Sequence, residues 1–168
     1  MKKLMLSLLL VIVGTLPAST GPEYSIQAIR YASAEDEVAG LVMGFSHEKT
    51  THHFRLYADG GAIEAEANDA KDTASQDQIR SHFGHIVTMF AAGNFSAPML
   101  IHAQNPPGTE AMKRLRNAIE YKLESTEKGA RIRITSKDPD ALRAIHEFLR
   151  FQITDHQTGD SPEVTKVP

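Results

Sequence analysis

One hairpin pattern constrains this chain more than any other sequence feature. Residues 53–58 and 62–67 are rich in strand formers and flank Asp59-Gly60-Gly61. Asp-Gly and Gly-Gly pairs supply the positive φ angles that tight hairpin turns need. Because side chains alternate between the two faces of a strand, the glutamates of the second strand share one face, which we expect to be in water. The opposite face must then be covered by an apolar layer.

A second hairpin and two long helices complete the predicted fold. Residues 119–125 and 130–136 have the alternating pattern of strands joined by a short turn. Apolar residues at helical spacing predict a helix over 73–92. Asp138-Pro139 predicts the start of the last helix, because proline is favoured at the first helical position. The sequence therefore predicts a single α+β domain in which antiparallel β-hairpins pack against two longer helices.

The segments between and after these elements are less regular. Residues 95–103 contain Pro98, which argues against a central strand, and we expect this segment to be extended. Residues 109–118 predict a short helix that is capped by Thr109. The polar, proline-containing end of the chain, residues 157–168, is expected to be a disordered tail.

The first twenty residues have the composition of a secretory signal peptide. Two lysines follow Met1, and an apolar run over 4–13 precedes a patch of small residues. The apolar run is too short to cross a bilayer, which needs about 20 residues. We therefore expect residues 1–20 to be a signal peptide, cleaved within 18–22, and the working protein to be periplasmic or secreted.

The remainder has the size and composition of one domain. Residues 23–156 are predicted to form it, and because the chain has no cysteine, packing alone must hold it together. The formal net charge is −3 for the whole chain and falls to about −5 without the two signal lysines. This net negative charge argues against nucleic acid as a partner, since the phosphate groups of nucleic acids bind to positively charged protein surfaces. No later segment is apolar enough to span a membrane.

The motifs of several common enzyme classes are missing from the sequence. It contains no G-x-x-x-x-G-K-[ST] or G-x-G-x-x-G phosphate loop and no G-x-S-x-G nucleophile elbow. His47, His52 and His53 lack the four-residue spacing of a zinc-protease helix, and we expect them at the surface. The sequence therefore leans away from an enzyme, and no catalytic residue is assigned.

Histidines and methionines at helical spacing give the strongest indication of a function. His82, His85 and Met89 lie in one sector of the predicted long helix, on adjacent turns. The chain beyond that helix can fold back and bring Met99 and His102 beside them. Imidazole and thioether together suit copper. The sequence therefore predicts a soft-metal site, with copper as its ion, built from some of these five residues.

Two other interpretations remain open. If the methionines only fill gaps in the core, the histidines are incidental and the protein is a structural or interaction module. Alternatively, His102 or His146 acts as the base of a small hydrolase or lyase. His146 lies on the inward face of the last helix, where a buried histidine satisfied by hydrogen bonds is the simpler interpretation.

Three runs of the sequence carry a resemblance to other proteins. These runs are His53-Phe54-Arg55-Leu56-Tyr57 with Asp59-Gly60-Gly61, Phe90-Ala91-Ala92-Gly93-Asn94-Phe95 with Pro98-Met99, and Ala144-Ile145-His146-Glu147-Phe148-Leu149-Arg150-Phe151-Gln152. They resemble a set of small exported bacterial proteins without an assigned function, some of which carry an aspartate carbamoyltransferase label. The resemblance spans about two thirds of the chain and implies a bacterial exported domain. The Ser-Thr-Arg-Thr-Arg phosphate loop of carbamoyltransferases has no match here, so that activity is not implied.

Overall fold

The computed structural model describes residues 44–168, and the predictions for the signal peptide lie outside this range. Short 3₁₀ turns precede β1 and β3. The main elements are β1 (Thr50–Tyr57), β2 (Gly60–Ala67), α1 (Thr73–Ala91), α2 (Ser96–His102), α3 (Thr109–Arg114), β3 (Ile119–Ser125), β4 (Gly129–Ser136) and α4 (Pro139–Asp155).

The two hairpins form one antiparallel sheet with the strand order β1-β2-β4-β3. Phe54 lies opposite Ile63, and Ile63 lies opposite Ile132, so one buried row crosses three strands on the same face. On that face α1 packs against β3 and β4, and α4 packs against β1 and β2. The predicted α+β fold, with antiparallel hairpins packed against two longer helices, is confirmed.

The first hairpin turns earlier than its glycines suggest. Tyr57 pairs with Gly60, so the loop is Ala58-Asp59 and both glycines belong to β2. A Cβ atom on Gly60 would lie 2.1 Å from the backbone oxygen of Ile134 on β4. The glycine is therefore required for the close approach of two strands as well as for its positive φ of +140°.

Helix α1 has the boundaries that its sequence predicts. The Asp72 side chain accepts a hydrogen bond from the backbone N–H of Ser75, which satisfies a free donor at the start of the helix. At the other end Gly93 has a φ of +75°, and the N–H of Asn94 donates to the carbonyl of Met89 at 2.8 Å. This six-to-one bond is the Schellman ending expected of a Gly-Asn stop.

The expectation of extended chain over 95–103 is wrong, because helix α2 occupies most of this segment. Pro98 lies in the first turn of that helix, where the missing N–H costs no hydrogen bond. The Asn94 side chain accepts from the N–H of Ser96 at 3.0 Å and supports the start of the helix. A proline that argues against a strand is therefore equally compatible with a helix start. The predicted helix over 109–118 is also shorter and ends at Arg114.

The C-terminal segment differs from the disordered tail that its composition suggests. Asp160 accepts hydrogen bonds from the Phe54 N–H at 3.0 Å, from His53 Nδ1 at 3.0 Å and from Arg55 Nη1 at 2.9 Å. Thr165 pairs with the free edge of β1, where its N–H donates to the Leu56 carbonyl at 3.0 Å. An edge strand has unpaired backbone groups, and a polar segment can satisfy them.

Replacing Gly60 by Ala tests the close strand approach. The new Cβ would clash with the backbone of Ile134, so we expect the free energy of unfolding to fall by at least about 2 kcal/mol. The matched control is Gly84→Ala in α1, where the nearest neighbour of the new atom is Leu123 at 3.9 Å. There we expect a gain of about 0.5–1 kcal/mol, because alanine favours a helix interior. Urea denaturation measures both, and equal effects would contradict this account.

Replacing Asp160 by Asn tests the attachment of the tail. Its side chain is only 5% exposed and receives a charged guanidinium, so we expect a loss of about 2 kcal/mol in unfolding free energy. The amide N–H of Phe54 should also exchange faster with deuterated solvent. Glu163→Gln, at an exposed position of the same segment, is the control and should change neither quantity. Unchanged exchange at Phe54 in the Asp160 variant would argue that the tail contact is not formed in solution.

Candidate functional site

Four histidines and one glutamine line a single space between the sheet and the helices. We call this space, of about 70 Å³, the histidine cavity. Most of its wall is phenylalanine and isoleucine from the core. Its polar side chains are His52, His82, His102, Gln152 and His156.

These side chains come from four elements of the fold. His52 precedes Phe54 by two residues on β1, so both side chains lie on the buried face of the sheet. His82 is next to the buried Phe83 on α1. Helix α2 turns back after α1 and ends at His102, while His156 caps the end of α4. The cavity therefore lies where β1, α1, α2 and α4 meet.

The imidazole rings are in direct contact with one another and with phenylalanine rings. His156 lies 5.0 Å from His102 and 6.1 Å from His52, measured between ring centroids. Phe45 stacks on His52 at 5.4 Å and meets His82 edge-on at 5.5 Å. The cluster is thus a continuous series of aromatic rings in which Phe45 separates His82 from three adjacent imidazoles.

Burial keeps three of these histidines neutral. Desolvation and, to a smaller extent, the neighbouring imidazoles together lower the pKa of His52 to about 3. Desolvation also lowers the pKa of His82 and of His156 to about 4; for His156 the nearby Asp155 partly opposes the effect. At neutral pH each ring therefore carries one nitrogen with a free lone pair.

His102 is held by two polar partners on α4. Its Nδ1 lies 2.5 Å from a carboxylate oxygen of Asp155, and its Nε2 lies 3.1 Å from Oε1 of Gln152. The His102 side chain is 1% exposed, whereas that of Asp155 is 42% exposed. The carboxylate can only accept, so Nδ1 carries the proton in this pair.

Gln152 presents an unpaired polar atom to the cavity. The residue is 4% exposed, and its amide nitrogen has no hydrogen-bond partner among residues 44–168. Turning the amide over would let its NH₂ donate to His102 Nε2, but the carbonyl oxygen would then take the unpaired position. Either way one buried polar atom needs a partner, which a water molecule or a ligand can supply.

The sequence-predicted metal ligands are only partly brought together. His82 and His102 both line the cavity. His85 is exposed, Met89 packs against the core, and Met99 is 39% exposed beside a separate surface depression. As the side chains stand, no three histidine or acidic groups within the described range converge closely enough to hold an ion.

The sequence analysis missed His52, His156 and Gln152. The expectation of a surface position is wrong for His52, which lines the cavity, whereas His53 on the opposite face contacts Asp160. The alternation along β1 was a usable signal, because a residue two before a buried phenylalanine shares its face. For His156 the signal was helical spacing, because the residue follows the buried Leu149 by seven positions and the buried Gln152 by four.

His146 fastens the first hairpin to α4. Its Nε2 lies 2.9 Å from the carbonyl oxygen of Tyr57 and 3.0 Å from that of Gly60. Both partners are acceptors, so Nε2 carries the proton and donates to them. This matches the expectation of a histidine satisfied by hydrogen bonds, and it fixes the tautomer in which Nδ1 keeps the lone pair.

Comparison with protein-family models, with curated proteins and with solved structures gives no match for this chain. Among the helices that the structure describes, none combines the length and apolar character needed to cross a membrane. The chemistry of the histidine cavity must therefore be inferred from its own residues.

The histidine cavity predicts how stability depends on pH. In the unfolded chain these imidazoles bind protons near pH 6.5, whereas in the folded chain His52, His82 and His156 do so only at about 3 to 4. Between these values the unfolded state binds more protons, so stability increases with pH. We expect the melting temperature at pH 7.5 to exceed that at pH 5 by at least about 5 °C.

A variant pair separates this effect from the titration of other groups. His82→Gln removes one of the buried imidazoles and should reduce the pH dependence of the melting temperature. His85→Gln changes an exposed histidine three residues away, whose charge only adds to the lowering of the His82 pKa, and should reduce the pH dependence less than His82→Gln does. The same slope in both variants would contradict the assignment.

Proposed function

We propose that this protein is exported and binds a transition-metal ion of the copper class at the histidine cavity. One observation carries the proposal: four imidazoles from β1, α1, α2 and the end of α4 line the same small space. Ligand sites gather polar groups from separate elements onto one concave, largely apolar surface. The ligand set differs from the sequence prediction, since His52 and His156 replace His85, Met89 and Met99.

The protonation of the histidines supports a metal ligand role. A metal ion binds neutral imidazole, and any bound proton must first be released. His52, His82 and His156 hold no extra proton at neutral pH, because burial lowers their pKa to about 3 to 4. Imidazole nitrogen suits copper, nickel and zinc.

The size of the cavity also favours an ion. A space of about 70 Å³ admits an ion or a few water molecules. It is smaller than the roughly 150 Å³ that a benzene-sized molecule occupies in an engineered protein cavity. A nucleotide or a haem group is larger still, so an organic cofactor would require the helices to separate.

One histidine already has the surroundings of a metal ligand. Ligating histidines usually donate their second ring N–H to a carboxylate, which fixes the tautomer and directs the other nitrogen at the metal. The Asp155 carboxylate does this for His102. His156, whose ring centroid lies 5.0 Å from that of His102 and 6.1 Å from that of His52, would complete the site with the other rings by side-chain rotation.

A second candidate function is suggested by α2. Met99 and Leu100 are adjacent and 39% and 58% exposed, respectively, and neighbouring exposed apolar side chains are a feature of protein contact surfaces. This observation favours an interaction module. The hydrolase or lyase alternative has weaker support, because His146 is occupied by backbone carbonyls and His102 is shielded from solvent.

Metal titration followed by thermal unfolding tests the proposal. A ligand that binds only the native state at 100 times its dissociation constant adds about 2.7 kcal/mol of stability. We expect a higher melting temperature with Cu(I), Cu(II), Ni(II) or Zn(II), and loss of this increase in the double variant His52→Ala, His156→Ala. His85→Ala should retain it.

Two results would contradict metal binding at the cavity. One is a melting temperature that none of the four ions changes, which would favour the interaction module. The other is a response that persists in the His52, His156 double variant but disappears with His85→Ala, which would move the site to the surface of α1.

A further inference from the structure

We infer that the ion bound at the histidine cavity is monovalent copper, Cu(I), with the Asp155 carboxylate as its counter-charge. This inference rests on the proposed function and narrows it to one oxidation state. It comes from the charge that surrounds the cavity and from the small number of imidazole rings that lie close together.

The negative charge available to an ion at this site is small. Within residues 44–168, the side chains that line the cavity include no carboxylate. One carboxylate, that of Asp155, is hydrogen-bonded to a lining imidazole, at 2.5 Å from His102 Nδ1. The described surroundings therefore offer a single negative charge, placed one imidazole away from the ion.

The cost of burying an ion depends steeply on its charge. The electrostatic self-energy of an ion rises with the square of its charge, so a divalent ion costs about four times as much as a monovalent ion of the same size. The wall of the cavity is formed mainly by Phe and Ile side chains, which cannot replace lost hydration. With one carboxylate nearby, a monovalent ion gives a neutral site, whereas a divalent ion leaves an uncompensated positive charge.

The small number of ligating side chains that lie close together also favours a monovalent ion. Structural zinc sites need four ligands in a tetrahedral arrangement. No three ligating groups of the described chain converge as they stand, and the closest imidazole pair is His102 with His156. Imidazole nitrogen is a suitable ligand for copper, and Cu(I), a d¹⁰ ion, is commonly two-coordinate. A pair of histidines therefore satisfies Cu(I) with less rearrangement than any divalent ion requires.

Gln152 controls access to the nitrogen that would bind the ion. His102 can ligate through Nε2 only if the Gln152 side chain moves away from it. Because Nε2 can only accept, that side chain is held by one hydrogen bond from its NH₂, at 3.1 Å, and its amide oxygen is then the atom left unpaired among the described residues. Its displacement therefore breaks little, while Asp155 keeps the proton on Nδ1 and the lone pair on Nε2.

Competition with chromophoric chelators tests the oxidation state. The purified protein is titrated without oxygen against bicinchoninate for Cu(I), and in parallel against a zinc-specific dye for Zn(II). We expect the affinity for Cu(I) to exceed that for Zn(II). Asp155→Asn should lower the Cu(I) affinity by about 10- to 100-fold, and Asp155→Glu should restore most of it.

The control variant is Asp140→Asn, an exposed carboxylate on the same helix that pairs with Arg143. It should leave the Cu(I) affinity unchanged, and the apo form of Asp155→Asn should melt close to the unmodified protein, which excludes a folding defect. Tighter binding of Zn(II) than of Cu(I), or an unchanged Cu(I) affinity in Asp155→Asn, would overturn this inference alone. Failure of every ion to bind would overturn the proposed function with it.

Discussion

Alternation of side chains along β1 is the constraint on which both the cavity and the C-terminal segment depend. His52 and Phe54 lie on the inner face, and His53 and Arg55 on the outer face. The Phe54 ring contacts His156 at a centroid distance of 5.5 Å, while the N–H of the same residue donates to Asp160. Strand β1 thus contributes His52 to the cavity and also binds the segment that follows α4. Phe54 takes part in both contacts, through its ring on the cavity side and through its backbone N–H on the side of the C-terminal segment.

The histidine cavity contains polar side chains at buried positions, where apolar side chains would need no hydrogen-bond partners. Neutral imidazoles avoid the cost of a buried charge, but an unpaired amide such as that of Gln152 still weakens the fold unless something bonds to it. Departures of this kind from the simplest core are expected at functional positions. In the proposed function, a bound ion or its water would supply the partner that the Gln152 amide lacks.

Local signals in the sequence predicted most of the fold. Turn residues and period-two alternation located both hairpins, and a capping aspartate with a Gly-Asn stop bounded α1. Helix α2 was missed because Pro98 is disfavoured in a strand and also allowed in a first helical turn. At the site, helical spacing identified His82 as a candidate residue. The contact between His52 and His156 could not be predicted in this way, because the two residues are distant in sequence and meet only through tertiary packing. Composition likewise could not reveal that the polar end of the chain matches the free edge of β1.

The two outer strands of the sheet are protected from intermolecular pairing in different ways. Along β3, charged side chains at Glu120, Lys122 and Glu124 discourage a second chain from adding to the sheet. On β1 the backbone groups are already occupied by Thr165 from the chain's own C-terminal segment. Proteolytic removal of that segment would therefore expose the edge of β1, to which a second chain could add as a strand in a cross-β assembly. The edge at β3 would keep its charged side chains.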